Sequence, residues 1–262
     1  MSQIITLLSA SGGVGKTMVA CALAAEFARS GETALLIDLN AGNRAADLFL
    51  GLEGRVLFDL SDVLSSTKES APQLIITHHA ADKIGFIAAP YNDEVLPEDK
   101  FYSFIKQMKH KYGRIILDTA AGYGGAVAAA LSCCDKSFII MTAENLAVRS
   151  AERLLSRMRE AKLAAPDIII NRAIPEYMLD DVQLQPNAIT AALDARVISV
   201  IRENDRIYRA CVSGTIAQLE ERGEEYAVFR QLAGRVRSGV VPKGFQVKKK
   251  FLQQSAYINE IM

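Results

Sequence analysis

The sequence predicts a doubly wound α/β domain: a mainly parallel sheet with helices on both faces. Three observations predict it. Short apolar, β-rich runs recur along the chain, amphipathic stretches with helical spacing separate them, and the first run opens directly into glycines.

The runs are Ile4 to Leu8, Ala34 to Ile37, Ile84 to Ala88, Arg114 to Leu117, Ser137 to Met141, Asp167 to Ile170 and Val197 to Ile201. They are continuously apolar rather than alternating, as strands covered on both faces must be. Between them, Val19, Leu23 and Phe27 mark one helix face that stops at Gly31. Phe101, Phe104, Ile105 and Met108 mark a second, and Val148, Ala151, Leu154, Leu155 and Met158 a third. The stretch from Arg55 to Asp82 has mixed polarity, and a short helix from Leu57 to Leu64 followed by a loop is expected there. No repeat, low-complexity tract or Pro/Gly-rich linker divides the chain.

Composition narrows the class. Half of the 262 residues are hydrophobic, enough for one large core. Lys+Arg and Asp+Glu balance at 30 each, so the charge does not call for nucleic acid, and DNA is not an expected partner. Aromatics make up 7% with no Trp, which argues against a stacking platform for single strands. Cys21, Cys133, Cys134 and Cys211 form no C-x-x-C pair and read as buried free thiols. There is no cationic leader and no apolar run near the ~18 residues of a membrane span. A cytoplasmic protein is expected.

The densest signal is Ala10-Ser11-Gly12-Gly13-Val14-Gly15-Lys16-Thr17, set between the first strand and the first helix. That context suits a loop that cradles the phosphates of a nucleoside triphosphate. Its glycines allow the curvature that aims backbone N–H groups at phosphate oxygens, and the helix start adds partial positive charge. Lys16 would bridge the β- and γ-phosphates and the Thr17 hydroxyl would coordinate Mg²⁺, making MgATP the expected ligand.

The first glycine of the usual pattern is replaced by Ala10, and the doubled Gly12-Gly13 resembles the deviant loop of the MinD/ParA family of P-loop ATPases. Leu36 to Arg44, reading L-I-D-L-N-A-G-N-R, resembles the MinD switch I segment, and Ile116 to Gly122 resembles switch II. Thr142 with Val148-Arg149-Ser150, and Ile168 to Arg172, continue the similarity over roughly residues 1–240, closest to the MinD branch. The resemblance implies a nucleotide-binding domain over residues 1–242. It implies Asp38 and Asp118 at strand ends, holding Mg²⁺ through water. Ser11, Gly12, Gly13, Val14, Gly15, Lys16, Thr17 and Met18 would surround the phosphates. Gly122 would present its N–H to the γ-phosphate, and Asn171 and Arg172 would approach the adenine. Lys16, Asn40 and Asp118 are the expected catalytic set.

Two positions depart from the family. Ser11 stands where its signature lysine reaches a partner's phosphates, and Asn40 stands where its switch I aspartate orients water. A cation supplied in trans is worth about 10³–10⁵ in rate in related enzymes, so slow turnover is expected. Arg44 is the nearest substitute cation.

Residues 243–262 follow a Val-Pro-Lys-Gly break and read as an appendage able to form an amphipathic helix. Val247, Phe251, Ile258 and Ile261 lie near one face, with Lys248, Lys249 and Lys250 at its edge. By the resemblance, such a helix would dock on a membrane when doubled in a dimer. His78, His79 and His110 lack metal-site spacing and read as loop residues, and Arg149, Arg153, Arg157 and Arg159 as a solvated or partner-docking face. The expected function is an ATP-dependent homodimeric switch that positions machinery, such as the division site, at the membrane with a protein partner. The alternatives are a non-hydrolysing scaffold resembling the TadZ/CpaE group and a ParA-like DNA-segregation ATPase. An amidoligase-like enzyme would need a second substrate domain, which the sequence does not display.

Overall fold

A computed structural model describes residues 2–41, 43–79, 81–92, 95–219, 223–249 and 256–261. The order of elements is β1 (Gln3–Leu8), α1 (Lys16–Arg29), β2 (Ala34–Leu39), α2 (Ala46–Phe49), α3 (Leu60–Ser65), β3 (Ile76–His78) and β4 (Ala81–Ile87). Then come α4 (Glu98–Met108), β5 (Arg114–Thr119), α5 (Gly125–Cys133), β6 (Lys136–Met141), α6 (Asn145–Glu160), β7 (Asp167–Ala173) and α7 (Pro175–Leu179). The chain continues with α8 (Pro186–Leu193), β8 (Val197–Arg202), α9 (Asp205–Val212), α10 (Glu224–Ser238), β9 (Gly244–Lys249) and β10 (Ala256–Ile261).

All seven expected strands are present, in one sheet ordered β3-β4-β2-β5-β1-β6-β7-β8. Every pairing in it is parallel except β3 with β4. Their continuous apolar character is explained by helices on both sides. The largely buried α1 packs on one face with α9 and α10, while α4, α5 and α6 bury their apolar stripes on the other. Because β5 and β6 flank β1 on opposite sides, the turn after β1 lies where the sheet's winding reverses, the usual crevice for a ligand.

Three local expectations change. The short helix begins at Leu60, because Asp59 accepts from the N–H groups of Ser61 and Asp62 while Asp62 accepts from Asp59. Leu57 remains 81% exposed. His78 is no loop residue: it ends β3, is buried, and its Nε2 lies 2.8 Å from the Leu50 carbonyl. The described parts of the tail form an antiparallel hairpin instead of a helix, pairing Val247 with Ile258 and Phe245 with Glu260. The period of two decides it: Phe245, Val247 and Ile258 turn inward against the core beside α7 and α8, while Gln246 and Lys248 face out. Phe245 is 3% exposed, and burying such a ring is worth about 1.5–3 kcal/mol. Phe251 and Lys250 lie outside the described residues.

A close backbone approach joins two connections. A Cβ on Gly51 would sit 2.6 Å from the Gly214 carbonyl oxygen, and one on Gly214 would sit 2.8 Å from both Gly51 Cα and the Leu48 carbonyl. The turn after α2 and the turn after α9 meet there without side chains.

Candidate functional site: a phosphate loop over two buried carboxylates

The loop leaves β1 at Ser9 and enters α1 at Lys16. Gly15, the residue capping α1, has φ +87°, a conformation that a side chain would strain. Ser11 and Thr17 are half-buried, Gly12 and Gly13 exposed, and Val14, Lys16 and Met18 buried. Lys16 turns back under the loop, and its Nζ donates to Asp118 Oδ1 at 2.7 Å. Asp118 is fully buried at the end of β5, directly beside Asp38 at the end of β2 in the parallel register.

Asp38 accepts from the Asn40 N–H at 2.8 Å. Burial raises its carboxyl to about 7, and the neighbouring Asp118 charge adds to this. The Asn40 hydrogen bond, the Lys16 charge and the Ala46 N–H act in the opposite direction. Asp38 Oδ2 and Asp118 Oδ2 are both buried and accept no hydrogen bond from any described residue. Two orphaned carboxylate oxygens side by side beneath the phosphate loop fit a hydrated divalent cation, with the Thr17 hydroxyl on the adjoining helix turn. Among the described residues no cluster of His, Cys, Asp and Glu forms another metal site.

The switch residues are tied to the protein itself. Gly122 N–H donates to the Ser9 carbonyl at 2.8 Å. Asn40 Nδ2 donates to the Asn43 carbonyl at 2.9 Å. Arg44 is engaged as well: it makes two bonds to Asp47, at 2.6 and 3.0 Å, and stacks 4.3 Å from the centre of the Tyr91 ring.

Beside the loop lies a cavity of about 250 Å³, lined by Gly13, Gly15, Met18 and Asn171 and, across from them, by Arg202, Ile207 and Tyr208. Asn171 is buried, whereas Arg172 has φ +56° and swings out to pair with Glu203 at 2.8 Å. The wall formed by β8 and α9 was not among the expected site residues. Its one sequence signal is Asn204, which caps α9 by accepting from the N–H groups of Arg206 and Ile207.

A family model for the AAA domain matches residues 2–170, more than half of the chain. The septum site-determining protein MinD of Bacillus subtilis (strain 168) is 25% identical over 246 residues, covering 92% of this chain and 91% of that protein. A chain of the MinC:MinD cell division protein complex of Aquifex aeolicus superposes with TM-score 0.83 at 25% identity, covering 92% and 98%. MinD of Pyrococcus horikoshii OT3, solved with Mg-ADP, has the same fold, with TM-score 0.78, 23% identity and coverage of 91% and 97%. With its deviant loop, its paired strand-end carboxylates and these relatives, the chain belongs to the MinD/ParA family of P-loop ATPases.

Proposed function

We propose that the protein binds MgATP in this site and acts as a MinD-like nucleotide switch that dimerises on ATP and engages a protein partner to position division machinery. The observation that carries the reading is the buried Lys16–Asp118–Asp38 group with its two unpartnered carboxylate oxygens. A bound Mg²⁺ would neutralise charge building on the β- and γ-phosphates. Thr17 would hold it directly and Asp38 and Asp118 through water. Lys16 would exchange its Asp118 bond for phosphate oxygens, and Gly122 would exchange the Ser9 carbonyl for the γ-phosphate. The relatives' roles in septum placement, and the complex with MinC in one of them, support the partner and the division site.

Turnover is expected to be slow. Ser11 brings no cation, Arg44 is engaged by Asp47, and the amide of Asn40 lacks the charge of the family's aspartate. These features also favour the second reading, a scaffold that binds ATP without hydrolysing it. Recruitment to a membrane, in this proposal, falls to the protein partner, since Val247 and Ile258 pack in the hairpin against the core and do not form a free helical face.

Size-exclusion chromatography with light scattering on apo, ADP and ATP forms tests the switch. An ATP-specific dimer is expected, and an unchanged monomer in all three would refute it. Phosphate release at the ordinary rate of the family, abolished by Lys16→Ala, would refute slow turnover. Liposome co-sedimentation should be equal for the full chain and for a chain ending at Val241.

A further inference from the structure

We propose that Asn171 is a positioning residue for the phosphate loop: it holds the loop in its gripping curve through Val14, so that binding of phosphates depends on it even when no base is present. The inference rests on the reading of this loop as a phosphate cradle.

Asn171 lies in β7, 157 positions from Val14 in sequence, and is 3% exposed. Its Nδ2 donates to the Val14 carbonyl at 2.8 Å in a buried bond. A carbonyl only accepts, so this bond fixes which way the amide points: nitrogen to the loop, oxygen left for the cavity. Val14 needs such a partner. The hydrogen-bond ladder of α1 starts with Val19 N–H to the Gly15 carbonyl, one residue too late to use the carbonyl of Val14.

The fit is steric as well as polar. A Cβ on Gly15 would collide with Asn171 Nδ2. Gly15 is therefore required for two reasons at once, its positive φ and the side chain that fills the space beside it. Asn171 and the loop interlock. Both Asn171 and Arg172 border the cavity, but Arg172 spends its guanidinium on Glu203 at the exposed rim. Asn171 instead gives its one donor group to the loop, so loop shape and base occupancy meet in a single side chain.

The test uses the full chain with Asn171→Leu, which keeps the branched side-chain outline and removes the donor, and Asn171→Ala, which removes the donor without adding bulk. Isothermal titration measures MgATP and magnesium tripolyphosphate, which offers phosphates without a base. Amide hydrogen exchange of the nucleotide-free protein follows the segment 9–19. Leaving the Val14 carbonyl without its partner should weaken tripolyphosphate binding about tenfold and speed exchange in that segment, with β8 unchanged. If ATP binding weakens while tripolyphosphate binding and exchange stay at their original values, Asn171 is a base contact only and the proposal fails. Should the unsubstituted chain bind neither ligand, the nucleotide reading falls, and exchange then decides: faster exchange supports the anchor and unchanged exchange overturns it.

Discussion

At the amino ends of the strands, Glu32 holds both Arg114 and Arg237 at 2.6 Å, and Asp167 takes Arg196 through two bonds of 2.9 Å. Asp135 accepts from the Ile4 N–H at 2.7 Å. At the carboxyl ends of the same strands, two buried aspartates share one lysine and keep an oxygen each without a partner. One end of the sheet thus has its charges matched within the protein, and the other keeps an excess of negative charge that only a cation from outside can relieve. Glu26 marks the boundary of the contrast: its buried Oε2 makes no hydrogen bond, but Arg29 lies 3.7 Å away. The paired end contributes to stability, whereas the unmatched end holds a cost that the proposed ligand would remove on binding.

The contrast breaks most severely at Lys16. Removing one partner from a buried pair costs about 3–5 kcal/mol. Lys16→Ala should lower the melting midpoint at pH 8 by several degrees and abolish MgATP binding in titration calorimetry.

Asp38→Asn should do the reverse to the apo protein. Folding raises this carboxyl from 3.8 to about 7, so its contribution to stability is present at low pH and lost as pH rises through that window. At pH 8 without Mg²⁺ the variant should melt higher than the original chain, by about 2–4 °C per kcal/mol relieved. With MgATP present the order should invert.

At the matched end, Arg114→Ala removes the Glu32 pair and a cation stacked 5.1 Å from the centre of the Phe27 ring. A loss of about 1–2 kcal/mol is expected in urea unfolding, with ATP affinity unchanged. A change in affinity there would mean that the two ends are not independent.

The smallest effect belongs to His78. Burial, the largest influence, lowers its pKa and favours the neutral ring, against the hydrogen bond to the Leu50 carbonyl, which acts in the opposite direction. Its contribution is complete above the unfolded value near 6.5 and fades as pH falls below it. His78→Gln should flatten the decline of the melting midpoint between pH 7 and 5.5, by about 1–2 °C.

What the sequence displayed, and what it hid, follows from distance along the chain. The seven parallel strands were legible because each is buried on both faces and so reads as an apolar run on its own. β3 was not, being three residues long at an edge, paired antiparallel and ending in a histidine. The loop was legible because Gly12 to Thr17 are contiguous. Asp38 and Asp118 could be placed only through resemblance, and the contacts that hold the loop and switches, Lys16 to Asp118, Asn171 to Val14 and Gly122 to Ser9, span more than a hundred residues each. In the tail, Val247, Ile258 and Ile261 fit a helical face on paper. Alternation of Phe245 and Val247 with polar neighbours fits a strand equally well, and burial against α7 and α8 decided between them.

The contact between Gly51 and Gly214 carries a lesson for anyone exchanging parts between relatives. One belongs to the turn after α2, which follows the segment resembling switch I, and the other to the turn after α9, and neither tolerates a methyl group while the other stays in place. A chimera that imports α9 with a bulkier residue at its end would push the α2 turn outward without altering the glycine-rich loop. The two turns are best grafted together, as one part cut from two places in the chain.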